Sequence, residues 1–87
     1  MPLPARRKDI LSEEFEDGLV LCDPITEQVV YLNATGAAIW EMCDGETDPG
    51  DMVRELVSLF PEADEEKVKR EVVAFLADLQ ARGFLGS

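Results

Sequence analysis

The chain has 87 residues, of which 46% are hydrophobic, with 8 Lys and Arg against 19 Asp and Glu and no His. This length supports one small domain with a single modest core. The net charge of −11 repels nucleic-acid phosphates and predicts no nucleic-acid partner, and the lack of an apolar run of about 18 residues predicts no membrane span.

The first eight residues include two prolines and three basic residues, and we predict a flexible N-terminal tail over residues 1–8 and a single domain over 9–87. No apolar segment of a secretion signal follows these basic residues, which favours a cytoplasmic protein. Cys22 and Cys43 are next to apolar residues, which predicts that both are buried free thiols. Free thiols are consistent with a reducing compartment. Two cysteines are too few for a disulfide framework or for the four ligands of a zinc site.

Two short segments have the composition of β-strands and stand in hairpin order. Residues 18–23 (GLVLCD) follow an acidic turn, and residues 28–33 (QVVYLN) are rich in β-branched and aromatic side chains. The four residues between them have the length of a hairpin loop. Residues 10–15 are a weaker candidate for a third strand. We therefore predict a small antiparallel sheet of two to three strands.

Helical patterns follow the strands, and the first two begin at residues suited to capping. Asn33 is a strong N-cap for the first helix, which we expect to end before Gly45. Thr47 or Asp48 caps the second helix, with Pro49 at its first position. These signals place two short helices directly after the strands.

The third helical pattern is the longest. Asp64 caps it, and we expect the helix to run to about Arg82 and to end at Gly83. A small antiparallel sheet followed by three helices predicts an α+β domain that resembles a winged helix-turn-helix.

The residues that carry chemistry are few. Without histidine the chain lacks the commonest general base and metal ligand. Its paired acids stand in turns and helix starts, where solvated carboxylates are common, and its glycines lack the spacing of a phosphate-binding loop. Cys22 has no convincing base beside it. We therefore predict no catalysis, no metal and no cofactor.

The third helix has a core stripe and a second line beside it. At 100° per residue the core stripe contains Val68, Val72, Phe75, Leu76 and Leu79. The second line contains Lys69, Val73, Leu76 and Gln80. An apolar Val73 flanked by Lys69 and Arg70 has the pattern of a groove wall. The alternative is that Val73 is peripheral core against the second helix.

The strand QVVYL provides a matching surface. Val29 and Tyr31 face one side and Val30 and Leu32 the other, so both faces are apolar. At a sheet edge such a strand has unpaired N–H and C=O groups, and extended peptides bind there by β-augmentation. This predicts a peptide groove between the strand and the third helix. The alternative is a buried central strand.

Two motifs resemble the PqqD-like family. Residues 31–48, YLNATGAAIWEMCDGETD, are similar to its strand-to-helix signature, LN-x-T/S-G-x-x-I-W-x-x-x-D-G, although Ala34 stands where relatives often have Pro. Residues 72–85, VVAFLADLQARGFL, are similar to its closing helix. The agreement runs from about residue 18 to residue 85.

The resemblance implies a RiPP recognition element, a winged-helix domain without catalysis. Such domains bind the leader segment of a ribosomally made precursor peptide and present it to a modifying enzyme, such as a radical-SAM enzyme, a protease or a cyclase. The pathway can be that of pyrroloquinoline quinone, a lasso peptide or another product. The leader adds as a strand beside the third helix. The corresponding positions here are Gln28, Val29, Val30, Tyr31, Leu32, Lys69, Arg70, Val73, Leu76 and Gln80.

Two other functions share this architecture. One is a winged-helix DNA-binding module, against which the acidic charge argues. The other is a structural subunit whose strand edge pairs with a second copy. A weak homodimer is compatible with peptide binding, so the oligomeric state stays open.

Overall fold

The computed structural model describes residues 3–86, and Met1, Pro2 and Ser87 lie outside the described residues. The elements in chain order are β1 (Ala5–Arg6), β2 (Leu11–Phe15), β3 (Gly18–Cys22), β4 (Val29–Leu32), α1 (Ala34–Met42), α2 (Pro49–Leu59), α3 (Glu65–Arg82) and β5 (Leu85–Gly86). The predicted α+β class is confirmed, as is the third strand over residues 10–15, which forms β2.

Strands β2, β3 and β4 form an antiparallel sheet in that order, so β4 lies at an edge. Leu19 of β3 is opposite Leu32 of β4, and both are buried. Val29 and Tyr31 lie on the other face, 66% and 47% exposed. The alternative of a central β4 is wrong, because within residues 3–86 this strand pairs with β3 alone.

The predicted caps begin all three helices. Asn33 Oδ1 accepts a hydrogen bond from the N–H of Gly36 at 2.9 Å. Asp48 caps α2 and Asp64 caps α3, each through its carboxylate and an N–H of the first turn. At the other end of α3, Gly83 has a φ of 78°, the left-handed conformation that favours glycine. Local side-chain chemistry therefore sets the helix boundaries.

The core has two adjoining parts. One lies between the helices and contains the buried side chains of Ile39, Cys43, Met52, Val53, Leu56, Val68 and Val72. The other joins the sheet to α1 and α3 and contains Leu19, Leu21, Leu32, Trp40, Leu79 and Phe84. The predicted core stripe of α3 is confirmed, with Phe75 and Leu76 half-buried at its two edges. Cys43 is a buried free thiol as predicted, whereas Cys22 is only half-buried.

The N-terminal segment is joined to the C-terminal one. Ala5 pairs with Gly86 and Arg6 with Leu85 in a second, two-stranded sheet. Arg7 Nη1 donates to the carbonyl of Gly83 at 3.0 Å and to Asp23 Oδ2 at 2.8 Å. Residues 5–7 therefore have specific partners in the structure. The prediction of a flexible tail over residues 1–8 did not anticipate these contacts. The flexibility of the tail and the domain boundary at residue 8 stay predictions.

Asp23 is the one buried charged side chain among the described residues, with 0% exposure. Burial opposes its ionisation, but hydrogen bonds from the N–H of Ile25 and from Arg7 outweigh that effect, so the pKa of Asp23 lies below its ordinary value of 3.8. The folded state therefore favours the carboxylate over the protonated acid. This stabilisation is present above the unfolded pKa and is lost as the pH falls through the folded pKa.

We expect Asp23→Asn to be less stable than the parent at neutral pH, with the difference narrowing as the pH falls below 3.8. The difference in unfolding free energy is measured by urea unfolding, followed by circular dichroism, at several pH values. Asp44, whose pKa is also lowered, titrates in both proteins and cancels in the comparison. Parallel stability curves for the two proteins would contradict this assignment.

Candidate functional site

The outer edge of β4 has unpaired peptide groups. Along two antiparallel strands, opposite residues alternate between hydrogen-bonded and non-bonded pairs. Asp23 and Gln28 are a bonded pair, because the N–H of Asp23 donates to the carbonyl oxygen of Gln28 at 2.9 Å. In the observed register the peptide groups of Val30 and Leu32 then face β3. Those of Val29 and Tyr31 point away from the sheet and, within residues 3–86, meet no other strand. This edge can therefore pair with an added strand.

A cavity of about 580 Å³ lies beside β4, between this strand, the start of α1 and one face of α3. We call it the β4–α3 groove. Its lining residues are Val30, Tyr31, Leu32, Asn33, Thr35, Gly36, Ile39, Glu71, Ala74, Phe75, Asp78 and Arg82. The open edge of the strand and an adjoining cavity thus form one continuous site.

The floor of the groove is apolar because α1 approaches α3 closely. Gly36 is buried, and a Cβ atom at that position would lie 3.1 Å from Cε1 of Phe75. The cap at Asn33 begins α1 directly after β4, which places Gly36 over the third helix. Leu32 and Ile39 complete the floor with side chains that are 4% and 1% exposed. The NATG motif therefore shapes the site as well as ending the strand.

Charged side chains form the α3 wall of the groove. Arg82 Nε donates to Asp78 Oδ2 at 2.9 Å, whereas Glu71 makes no ion pair with another described residue. The carbonyl oxygen of Arg82 accepts a hydrogen bond from Nε2 of Gln28 at 3.0 Å. This last contact fixes the C-terminal end of α3 against the start of β4.

The strand half of the predicted site lies at the groove. Val30, Tyr31 and Leu32 line it, Gln28 bonds to the end of α3, and Val29 is exposed on the far face of the sheet. The predicted strand residues are thus together at one edge.

The helix half of the predicted site lies elsewhere. Lys69 and Val73 line a different cavity, between α2 and α3. Leu76 packs against the helical core, and Arg70 and Gln80 are exposed outside both cavities. The structure therefore does not bring these five residues together with β4.

The reason is that the core stripe of α3 has two edges. One edge, with Lys69 and Val73, faces α2, and the other, with Glu71, Phe75 and Asp78, faces β4. Helical periodicity identifies both edges but not their neighbours. The sequence prediction consequently did not include four groove residues of α3, namely Glu71, Ala74, Asp78 and Arg82. These residues follow one another at intervals of three or four, so their spacing does indicate that they share one face of the helix.

Within residues 3–86, no three His, Cys, Asp or Glu side chains are grouped so as to hold a metal ion. No helix in this part of the chain is both long and apolar enough to span a membrane.

Comparison with known proteins identifies the family of the chain. The model of the family described as coenzyme PQQ synthesis protein D (PqqD) matches residues 18–85. No curated protein matches the sequence.

Two solved structures have a similar fold. One is described as TbiB1 in complex with the TbiA(beta) leader peptide, with a TM-score of 0.82, 23% identity and 95% of each chain covered. The other is lasso peptide synthetase B1 complexed with the leader peptide, with a TM-score of 0.81, 24% identity, and 97% of this chain and 98% of that chain covered. The resemblance found in the two sequence motifs is confirmed: the family match spans most of the sequence, and the chain belongs to the PqqD family.

Proposed function

We propose that the chain is a RiPP recognition element, which binds the leader segment of a ribosomally made precursor peptide and delivers it to a modifying enzyme. The observation that carries this proposal is the unpaired edge of β4 beside an apolar groove. The fold supports it, because both similar solved structures are complexes with leader peptides.

Binding would extend the sheet by one strand. The N–H and C=O groups of Val29 and Tyr31 are free to bond to an extended peptide, which supplies affinity without regard to its sequence. Successive side chains of a strand point to opposite faces. Alternate peptide side chains would therefore enter the groove over Leu32 and Phe75, and these contacts would select the sequence.

The described side chains offer little for catalysis, in the groove or outside it. Burial raises the pKa of the Cys43 thiol to about 11, so the thiolate needed for nucleophilic attack is scarce near neutral pH. The groove contains carboxylates, one guanidinium and a tyrosine, and its Asp78 is paired with Arg82. We therefore propose a binding protein without an activity of its own, acting in the cytoplasm with an enzyme such as a radical-SAM maturase.

The test begins with selection of short random peptides displayed on mRNA against the immobilised chain. Each selected peptide is then synthesised with one N-methyl group at a time, which removes one backbone donor. We expect the affinity to fall about tenfold at every second position, because alternate N–H groups of the added strand face β4. Isothermal titration calorimetry measures the effect.

Three outcomes would contradict the proposal. Losses spaced three or four residues apart would indicate a helical ligand, and uniform losses would indicate binding through side chains alone. A tight homodimer that no selected peptide dissociates would assign the β4 edge to a second copy.

A further inference from the structure

The face of the three-stranded sheet that points away from the core carries an exposed apolar surface. We call it the outer sheet face. Cross-strand pairs place on it the side chains of Leu11, Glu13, Phe15, Val20, Cys22, Val29 and Tyr31. Leu11 and Phe15 are 61% and 53% exposed. Exposed apolar side chains grouped on one face often mark a contact with a partner.

The apolar side chains also contact one another across this face. Phe15 and Tyr31 meet edge to face, with ring centroids 6.0 Å apart, above the position of Gly18, which has no side chain. The two rings are therefore already packed together, at the end of the face beside the turn between β2 and β3. Trp, Tyr and Arg side chains carry much of the binding energy in protein interfaces.

The border of the face is acidic. Glu16 and Asp17 form the turn between β2 and β3, Glu27 lies in the next turn, and all three are exposed. Partial burial of the Tyr31 ring, with Asp17 and Glu16 close to it, raises the pKa of its hydroxyl. Residues 9–53, which contain this whole sheet, include 12 Asp and Glu and no Lys or Arg.

This charge limits the partners that fit. An anionic membrane, a nucleic acid or a second copy of the chain would bring negative charge against the same border. A protein whose apolar patch is bordered by Lys and Arg would be attracted to it, and opposite charges across an interface favour rapid, specific association.

We propose that the outer sheet face docks the modifying enzyme, through an apolar patch of that enzyme bordered by Lys and Arg. The choice of occupant rests on the proposed function. Val29 and Tyr31 support it, because their side chains lie on this face while their peptide groups form the open edge of β4. An enzyme on the face would therefore adjoin a peptide bound at the edge.

The experiment uses the purified modifying enzyme encoded beside the gene of this chain, and measures its binding to the full chain by biolayer interferometry without peptide. Leu11→Ser changes the face at β2, the sheet edge opposite the groove. Leu59→Ser is the matched control, since Leu59 is 55% exposed on α2. We expect at least a tenfold loss of affinity for Leu11→Ser and no change for Leu59→Ser. Equal affinities for both variants would overturn the proposal.

Glu13→Lys provides a second test, since its exposed position tolerates the change. We expect weaker enzyme binding, with the difference from the parent shrinking as salt rises. Unchanged or stronger binding would overturn the proposal. So would self-association of the parent, seen by sedimentation and abolished by Leu11→Ser, because the occupant would then be a second copy.

The two proposals can fail separately. If selection yields no peptide that binds as an added strand but the enzyme docks through Leu11, the proposed function is wrong and the docking surface stands. If peptides bind as an added strand but neither Leu11→Ser nor Glu13→Lys changes the affinity for the enzyme, only the proposed docking surface is wrong.

Discussion

Ala74→Trp should weaken peptide binding strongly, whereas Val73→Trp at the next position should leave it unchanged. Ala74 lines the β4–α3 groove, and a bulky ring there would occupy the space over Phe75 that peptide side chains need. Val73 lines the cavity between α2 and α3 instead. We expect at least a tenfold loss of affinity for the first variant, or about 1.4 kcal/mol, measured by calorimetry with a selected peptide.

The pair is closely matched, because both positions are exposed on the same turn of α3 and receive the same side chain. Circular dichroism should show both variants folded. The opposite pattern, with loss at Val73 and none at Ala74, would place the peptide in the cavity between α2 and α3, away from β4.

Trp40→Ala should cost about 3–5 kcal/mol of unfolding free energy, the range for a large aromatic side chain removed from a core. Trp40 is 4% exposed and lies edge to face with Phe84, with ring centroids 6.5 Å apart. Total stabilities of small domains are about 5–15 kcal/mol. The variant should therefore be close to unfolding at room temperature.

Urea denaturation measures the loss, and Trp40→Phe is the control, since it keeps an aromatic ring in the site and should retain more of the stability. A cost below about 1 kcal/mol for Trp40→Ala would show that the ring contributes little to the core.

The elements that sequence reasoning placed well are those governed by neighbouring residues. Asn33, Asp48 and Asp64 bond to N–H groups two or three residues away, so capping chemistry is visible in the sequence. The edge position of β4 could also be predicted, because a sheet of two or three strands has few places for a strand other than an edge. The caps thus followed from neighbouring residues, and the open edge from the number of strand segments in the sequence.

The elements that sequence reasoning missed depend on contacts between distant residues. The two edges of the α3 stripe are equivalent in sequence, and only the packing of α2 and β4 distinguishes them. Strands β1 and β5 have two residues each, too few for an alternating pattern, and they join opposite ends of the chain. The Arg7–Asp23 ion pair likewise links residues that no local rule connects.

The pairing of β1 with β5 makes the described chain nearly a closed ring, since Ala5 lies directly opposite Gly86. Circular permutation is tolerated where the two ends of a fold lie together. A short linker across this point would allow the backbone to be opened in the exposed turn at Pro61 and Glu62, between α2 and α3. Reporter proteins could then be attached at that turn, with β4 and α1 kept in one uninterrupted stretch.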